Sequence, residues 1–331
     1  MELIINNNPQ SMIQDKSTDE SPSSSFIEAN TVKVSLQHLR DDCIIPVFSK
    51  DNESTISHYQ FIREAQNVLE GIYNGYEIRP PEIRVSHIVK GRVPSAIGKP
   101  AKELLDNEKT IYYERCAFMI EIPEVYEVIN GNRLTLSIGG VRSLSQENLY
   151  SKKSPEKFKL FIGMKNRVCT NLSISTDGLM DDIRVSSIID LEDHIKYLLE
   201  SYNRVEHLDI LKEMGSYCLN QEQFAHLIGK MKLYHYLDRD ERQGLFELQT
   251  TESQINNIVK NYVQDDHFCA DNDGGINLWN LYNLFTESSK SNYIDNFLNR
   301  NCNTYEFVNH LSNSLKNHED NYFLNKYDVV L

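Results

Sequence analysis

The sequence predicts an α+β protein, with a predominantly antiparallel β-sheet in the N-terminal half and helices in the C-terminal half. Three observations carry this reading. Apolar residues alternate with period two in several runs between 80 and 190. They recur at spacings of three and four after 191. Asn130-Gly131 stands just before an alternating run, where a pair able to take positive φ makes a type I′ hairpin turn. Strands followed by helices, rather than alternating with them, place the chain in the α+β class.

The elements follow in order. Residues 1 to 25 are rich in Asn, Ser, Asp, Gln and Pro and carry too few apolar side chains to offset the entropy of ordering them. A disordered tail is expected there, set at residues 1–28. Phe61, Ala65, Val68, Leu69 and Ile72 make a helical stripe that Gly71 and Gly75 help to end. Ile83 and Val85 alternate with Arg84 and Ser86, and Cys116, Phe118, Ile120 and Ile122 alternate with Ala117, Met119 and Glu121, so each run is a strand buried on one face. The run Leu134 to Ile138 completes a hairpin. Phe158, Leu160, Ile162 and Met164 share one face of a further strand, leaving Lys159, Phe161 and Gly163 on a wet, basic side. The β-rich region is set at 29–190 and the helical region at 191–331, packed on the sheet or beside it.

Within the helical region, Leu191, Ile195, Leu198, Tyr202 and Val205 predict one long helix. Capping boxes at Asn220/Gln223, Thr251/Gln254 and Asn303/Glu306 predict helix starts near 221, 252 and 304. Trp279, Leu281, Tyr282, Leu284 and Phe285 cover most of a helix surface, which predicts a buried helix.

Several function classes lose support. Hydrophobic residues make up 40% of the chain and charged residues 25%, which excludes bulk disorder and fibrous repeats. No secretory signal precedes residue 10 and no apolar run approaches a membrane span, so a cytoplasmic protein without membrane contact is expected. Cys43, Cys116, Cys169, Cys218, Cys269 and Cys302 are far apart, which points to free thiols. Neither GxGxxG nor GxxxxGK[ST] nor HExxH occurs. Asp271, Asp273, Gly274 and Ile276 match the centre of an EF-hand loop, but Cys269 and Asn280 replace its first acid and its bidentate Glu, so a turn between helices is expected. Ser154-Pro155-Glu156-Lys157 fits S-x-x-K and reads more simply as a helix N-cap followed by proline. No catalytic residue, cofactor or metal site is assigned.

Charge is the informative property. The net charge is −14, yet 83–102 holds five bases and no acid, and 142–167 holds seven bases against Glu147 and Glu156. From 191 onward there are 22 acids against 12 bases. Cations neutralise phosphates and an exposed aromatic gives a base something to stack on. The candidate contacts for single-stranded nucleic acid are therefore Arg142, Lys152, Lys153, Lys157, Lys159, Lys165 and Arg167 with Phe161, joined by Arg84, Lys90 and Arg92. A solvated sheet face with Phe161 under a helix accounts for the same residues. Two rival functions stand beside this one: an acidic helical half that binds a basic host protein, and a metal-dependent nucleic-acid enzyme using Asp177, Asp181 and Asp182.

Several strings carry a resemblance: Ile83 to His87, Thr110 to Arg115, Ile138 to Arg142, Gln146 to Lys153, Val168 to Leu172 and Leu278 to Thr286. Together they resemble an uncharacterised bacterial family found mainly in Bacteroidota, domain of unknown function family 3871. Val168 to Leu172 with Trp279 to Thr286 is also similar to the Val-Cys-x-Asn and Trp-x-x-Tyr-Asn signatures of a phage and plasmid family, domain of unknown function 932. The resemblance implies a setting of mobile elements and no reaction.

Overall fold

A computed structural model describes residues 25–45, 55–96, 98–147 and 155–324. The chain enters through β1 (Val32–Lys33) and a short helix, α1 (Leu36–Asp41), to α2 (His58–Ile72), where Ser57 and Gln60 form a reciprocal cap. Next come β2 (Glu82–Val85) and a separate two-stranded ribbon, β3 (Ile88–Arg92) with β4 (Lys109–Tyr113). The long strands β5 (Arg115–Ile129), β6 (Asn132–Ser143) and β7 (Glu156–Asn166) form the centre of the main sheet. Asn130 and Gly131 both take positive φ between β5 and β6, as a type I′ turn demands. With β8 (Leu172–Ser173) and β9 (Leu179–Val185) the sheet has seven strands in the order β1-β2-β5-β6-β7, both β8 and β9 pairing with β7. Every pairing in it is antiparallel.

The helical half runs α3 (Ile188–Ser201), α4 (Arg204–Met214), β10 (Cys218–Leu219), α5 (Gln221–Tyr234), α6 (Arg239–Arg242), α7 (Glu252–Gln264), β11 (Ile276–Asn277), α8 (Leu278–Ser289) and α9 (Ile294–Asn317). Among the described residues the only strands beyond 200 are β10 and β11, which pair with each other.

Both faces of the sheet are covered. On one face Phe61 of α2 meets Phe118 and Phe158 edge-on and lies over Gly140, where an added Cβ would sit 2.5 Å from its ring. Leu191, Ile195 and Leu198 of α3 pack in the same core with Leu160, Ile162 and Met164, and that core continues into Leu211, Leu227, Ile258 and Leu281 of the helical half. One apolar core therefore joins the strand-rich and helix-rich regions. On the other face Phe161, Ala117, Met119 and Val141 pack against Phe297 and Leu298 of α9. Each such buried side chain contributes roughly 1.5–3 kcal/mol of transfer free energy.

Five expectations are corrected. Residues 26–28, set within the tail, are part of the fold, because Phe26 and Ile27 are buried in that second core and Glu28 N donates to Lys290 O; the expectation for residues 1–24 lies outside the described residues. The long helix breaks at Tyr202, where Asn203 takes the N-cap role and accepts from Glu206 N, leaving Val205 exposed. The boxes at Asn220 and Thr251 cap α5 and α7, but Asn303 lies inside α9. Its side chain reaches Glu247 O and Gln249 N instead, satisfying a loop that crosses the helix. Glu156 already belongs to β7, so no helix starts after Pro155; Ser154 itself lies outside the described residues. Arg142 and Phe161, both expected at a wet surface, are fully buried, for reasons given below. The EF-hand-like string is a turn between helices: Gly274 takes φ 80°, and Gly275 N donates to Asp273 Oδ1.

Candidate nucleic-acid interface

The outward lysines of β7 alternate as the sequence requires, and the register of the sheet sets an acid beside each one. Lys157 Nζ lies 3.1 Å from Asp182 Oδ1, and Lys159 Nζ lies 2.8 Å from Asp181 Oδ1 on the neighbouring β9. Asn299 of α9 completes the second pair, accepting from Lys159 at 2.6 Å and donating to Asp181 at 2.6 Å. At the other end of the strand Lys165 Nζ is 3.5 Å from Glu121 Oε2, which also faces Arg79 at 3.2 Å and shares its other oxygen with Thr135. Burial works to raise the Glu121 and Asp181 carboxyls, but Lys165, Thr135 and Arg79 for the first, and Lys159 and Asn299 for the second, outweigh it and hold both below the usual range. Hydrogen bonds from Lys157 and Arg184 lower Asp182 likewise. Each of Lys157, Lys159 and Lys165 therefore already has a carboxylate partner.

Arg142 is 0% exposed. Its guanidinium bonds Glu147 at 2.8 and 3.1 Å and Glu156 at 2.8 Å, donates to the carbonyl of Ile56, and lies over the Phe158 ring. A guanidinium so committed cannot reach a phosphate. Phe161 points to the α9 face, where the helix covers it, and offers no stacking platform. Arg167 is exposed at the end of β7. Lys152 and Lys153 lie outside the described residues. Arg84 on β2 is tied to Thr31 through its side-chain and main-chain oxygens.

The β3–β4 ribbon is different. Arg92 stands directly opposite Lys109, and Lys90 opposite Ile111, so Lys90, Arg92 and Lys109 share one face of a two-stranded ribbon. Lys90 and Lys109 are exposed. Arg92 donates to the carbonyl of Lys99, which folds the connecting segment back toward the strand. That connection adds Lys99, paired with Glu108, and the exposed Lys102. Lys109 is paired with Asp106, itself 99% exposed, and such surface pairs are worth little.

Asp177, Asp181 and Asp182 do not converge. Asp177 accepts from Ser175 Oγ and Asn203 N, while the other two serve the lysines of β7. Among the described residues no three His, Cys, Asp or Glu side chains are grouped to hold a metal ion.

Charge reasoning missed a buried polar junction. Asn171 Nδ2 donates to Asn283 O at 2.9 Å, Asn166 Nδ2 to Asn283 Oδ1 at 3.1 Å, and Lys290 Nζ to Cys169 O at 2.5 Å. Beside it Ser173 lies 2.9 Å from His207 Nε2 and accepts from Tyr282, while Tyr202 lies 2.7 Å from His207 Nδ1. The strings around Val168 and Trp279 were the available signal, since these two segments are the ones the junction brings together.

A family model described as Domain of unknown function, B. Theta Gene description (DUF3871) matches residues 7–324. No curated protein and no solved structure matches the chain.

Proposed function

The chain belongs to that family of domains of unknown function, and from this premise we propose that it is a non-catalytic nucleic-acid-binding protein whose contact surface is the β3–β4 ribbon. The observation that carries the reading is the alignment of Lys90, Arg92 and Lys109 on one ribbon face. Three cations at strand spacing can follow a phosphate backbone. The lysines of β7 serve the fold, because each already has a carboxylate. With Phe161 buried, the specific reason for preferring single strands is gone, and contacts are expected to be to phosphate and independent of sequence. The mobile-element setting implied by the resemblance is compatible with such a role.

The test is a salt-titrated binding assay with single-stranded and duplex oligonucleotides of the same sequence. The double variant Lys90→Glu with Arg92→Glu should weaken binding in dilute salt. The double variant Lys157→Glu with Lys159→Glu should not, beyond its effect on folding. If the wild-type protein fails to bind in dilute salt, or both variants bind as it does, the proposal fails and capture of a basic protein by the acidic helical half becomes the reading to pursue.

A further inference from the structure

The end of α1 places a thiol beside a base. His38 Nδ1 lies 2.8 Å from Asp42 Oδ2, and its Nε2 lies 2.9 Å from the Tyr113 hydroxyl. Cys43 Sγ is 3.8 Å from the same Nε2. The main chain holds the thiol there, since Cys43 bridges Ile111 of β4 and Ile44 N donates to Ile111 O at 2.9 Å. An ionised carboxylate only accepts, so Asp42 fixes the ring proton on Nδ1 and leaves Nε2 as the acceptor for Tyr113 O–H and Cys43 S–H. The group can be reached from solvent: Asp42 is 60% exposed, His38 29%, and Cys43 is half-buried.

We propose that Cys43 is a nucleophilic thiol site for activated acyl groups, with His38 as its base and Asp42 as the carboxylate that orients the ring. A nucleophile and a base within reach, with the base turned by a third group, is the arrangement that activates a thiol. In the step, Sγ attacks the acyl carbon, the thiol proton passes to Nε2, and the bond from that carbon to its leaving group breaks. The leaving group takes the proton from Nε2, and the acyl group remains on Cys43 as a thioester.

Burial, and then the charge of Asp42, push the Cys43 thiol up to about 11, so it rests protonated at neutral pH and needs a base to react. His38, Asp42 and Tyr113, with the buried Cys116 of β5, are the titratable groups that face it. Tyr113 positions the ring but also occupies Nε2, so it competes with the thiol. This inference is independent of nucleic-acid binding.

The test treats the full chain with p-nitrophenyl acetate at neutral pH and follows acetylation of each cysteine by peptide mass spectrometry. Cys43 should react faster than the exposed Cys218 in the same sample. His38→Gln should slow Cys43 by about tenfold or more and leave Cys218 unchanged. Asp42→Asn, an isosteric change at a solvent-exposed position, should slow Cys43 in the same direction, and Tyr113→Phe, which keeps the packed ring, should speed it by freeing Nε2. The proposal is overturned if Cys43 reacts no faster than Cys218 in the wild-type chain, or if neither His38→Gln nor Asp42→Asn changes the Cys43 rate by more than about twofold.

Discussion

Asn171 Nδ2 donates to the main-chain oxygen of Asn283 across 2.9 Å, linking the approach to β8 with the middle of α8 over 112 residues of sequence. Asn283 is the hub: its own Oδ1 takes Asn166, and its Nδ2 returns to Trp279 O one turn earlier. All three asparagines are buried. Orphaning a buried amide costs about 1–3 kcal/mol. Asn283→Ala should therefore lower stability by about 3 kcal/mol, since it orphans Asn166 and opens a cavity. Urea denaturation checks this, and a loss below about 1 kcal/mol would mean that water replaces the amide.

Arg142 should be the more sensitive position. Its guanidinium sits between Glu147 and Glu156 with no solvent contact, and removing one partner of a buried ion cluster costs about 3–5 kcal/mol because the remaining charges stay behind. Arg142→Met should fall in that range. Adding Glu147→Gln and Glu156→Gln to the same chain should recover part of the loss, as the two buried negative charges that faced the guanidinium are then gone. Urea midpoints of the single and triple variants decide it, and a triple variant less stable than the single one would contradict the charge explanation.

The contrast between these residues and the sequence reading shows what a pattern can carry. Phe158, Leu160, Ile162 and Met164 were legible as a buried face because period two is a local property of the strand. The fates of Lys157, Lys159 and Phe161 were not, because they depend on register and on α9. Asp181 and Asp182 are neighbours of those lysines only through the pairing of β7 with β9, and Phe297 reaches Phe161 from well over a hundred residues away. The same limit explains Asn303. Its string matches the box at Asn220, and only the loop at Glu247 to Gln249 gives its side chain a different task. Arg142 read as a surface cation because charge counting sees no burial, whereas Glu147 and Glu156, the two acids in that basic segment, were the sign that it had partners.

Acid should destabilise the protein before its carboxylates titrate. Burial drives His207 down from 6.5 to about 4, and burial with the nearby Arg142 charge drives His58 down to about 3. Both are held neutral, so the unfolded chain binds more protons below 6.5 than the folded one does. Their contribution is fully present above pH 6.5 and is lost as the pH falls through their folded values, on the order of 3 kcal/mol for His207 and somewhat more for His58. Stability measured by urea at intervals from pH 7 to 4 should fall steeply. His207→Gln should reduce that slope by about 1.4 kcal/mol per pH unit, one proton's worth, and an unchanged slope would show that His207 does not titrate on unfolding.

Phosphate contacts made by the ribbon fix the salt dependence of binding. If Lys90, Arg92 and Lys109 each neutralise one phosphate, log K should fall against log salt with a slope of about −2 for a single strand and about −2.7 for a duplex, because a duplex condenses more counterions for each phosphate. Removing one cation, as in Lys90→Ala, should flatten the slope by about 0.7 or 0.9 respectively and weaken binding to every sequence alike. Lys157→Ala serves as the control. Its partner Asp182 is exposed and keeps Arg184, so the change should leave the slope unaltered, with at most a small loss of affinity from the lost positive charge. Should Lys157→Ala flatten the slope while Lys90→Ala does not, the lysines of β7 must leave their aspartates to bind phosphate, and the contact surface would be the β7–β9 part of the main sheet rather than the ribbon.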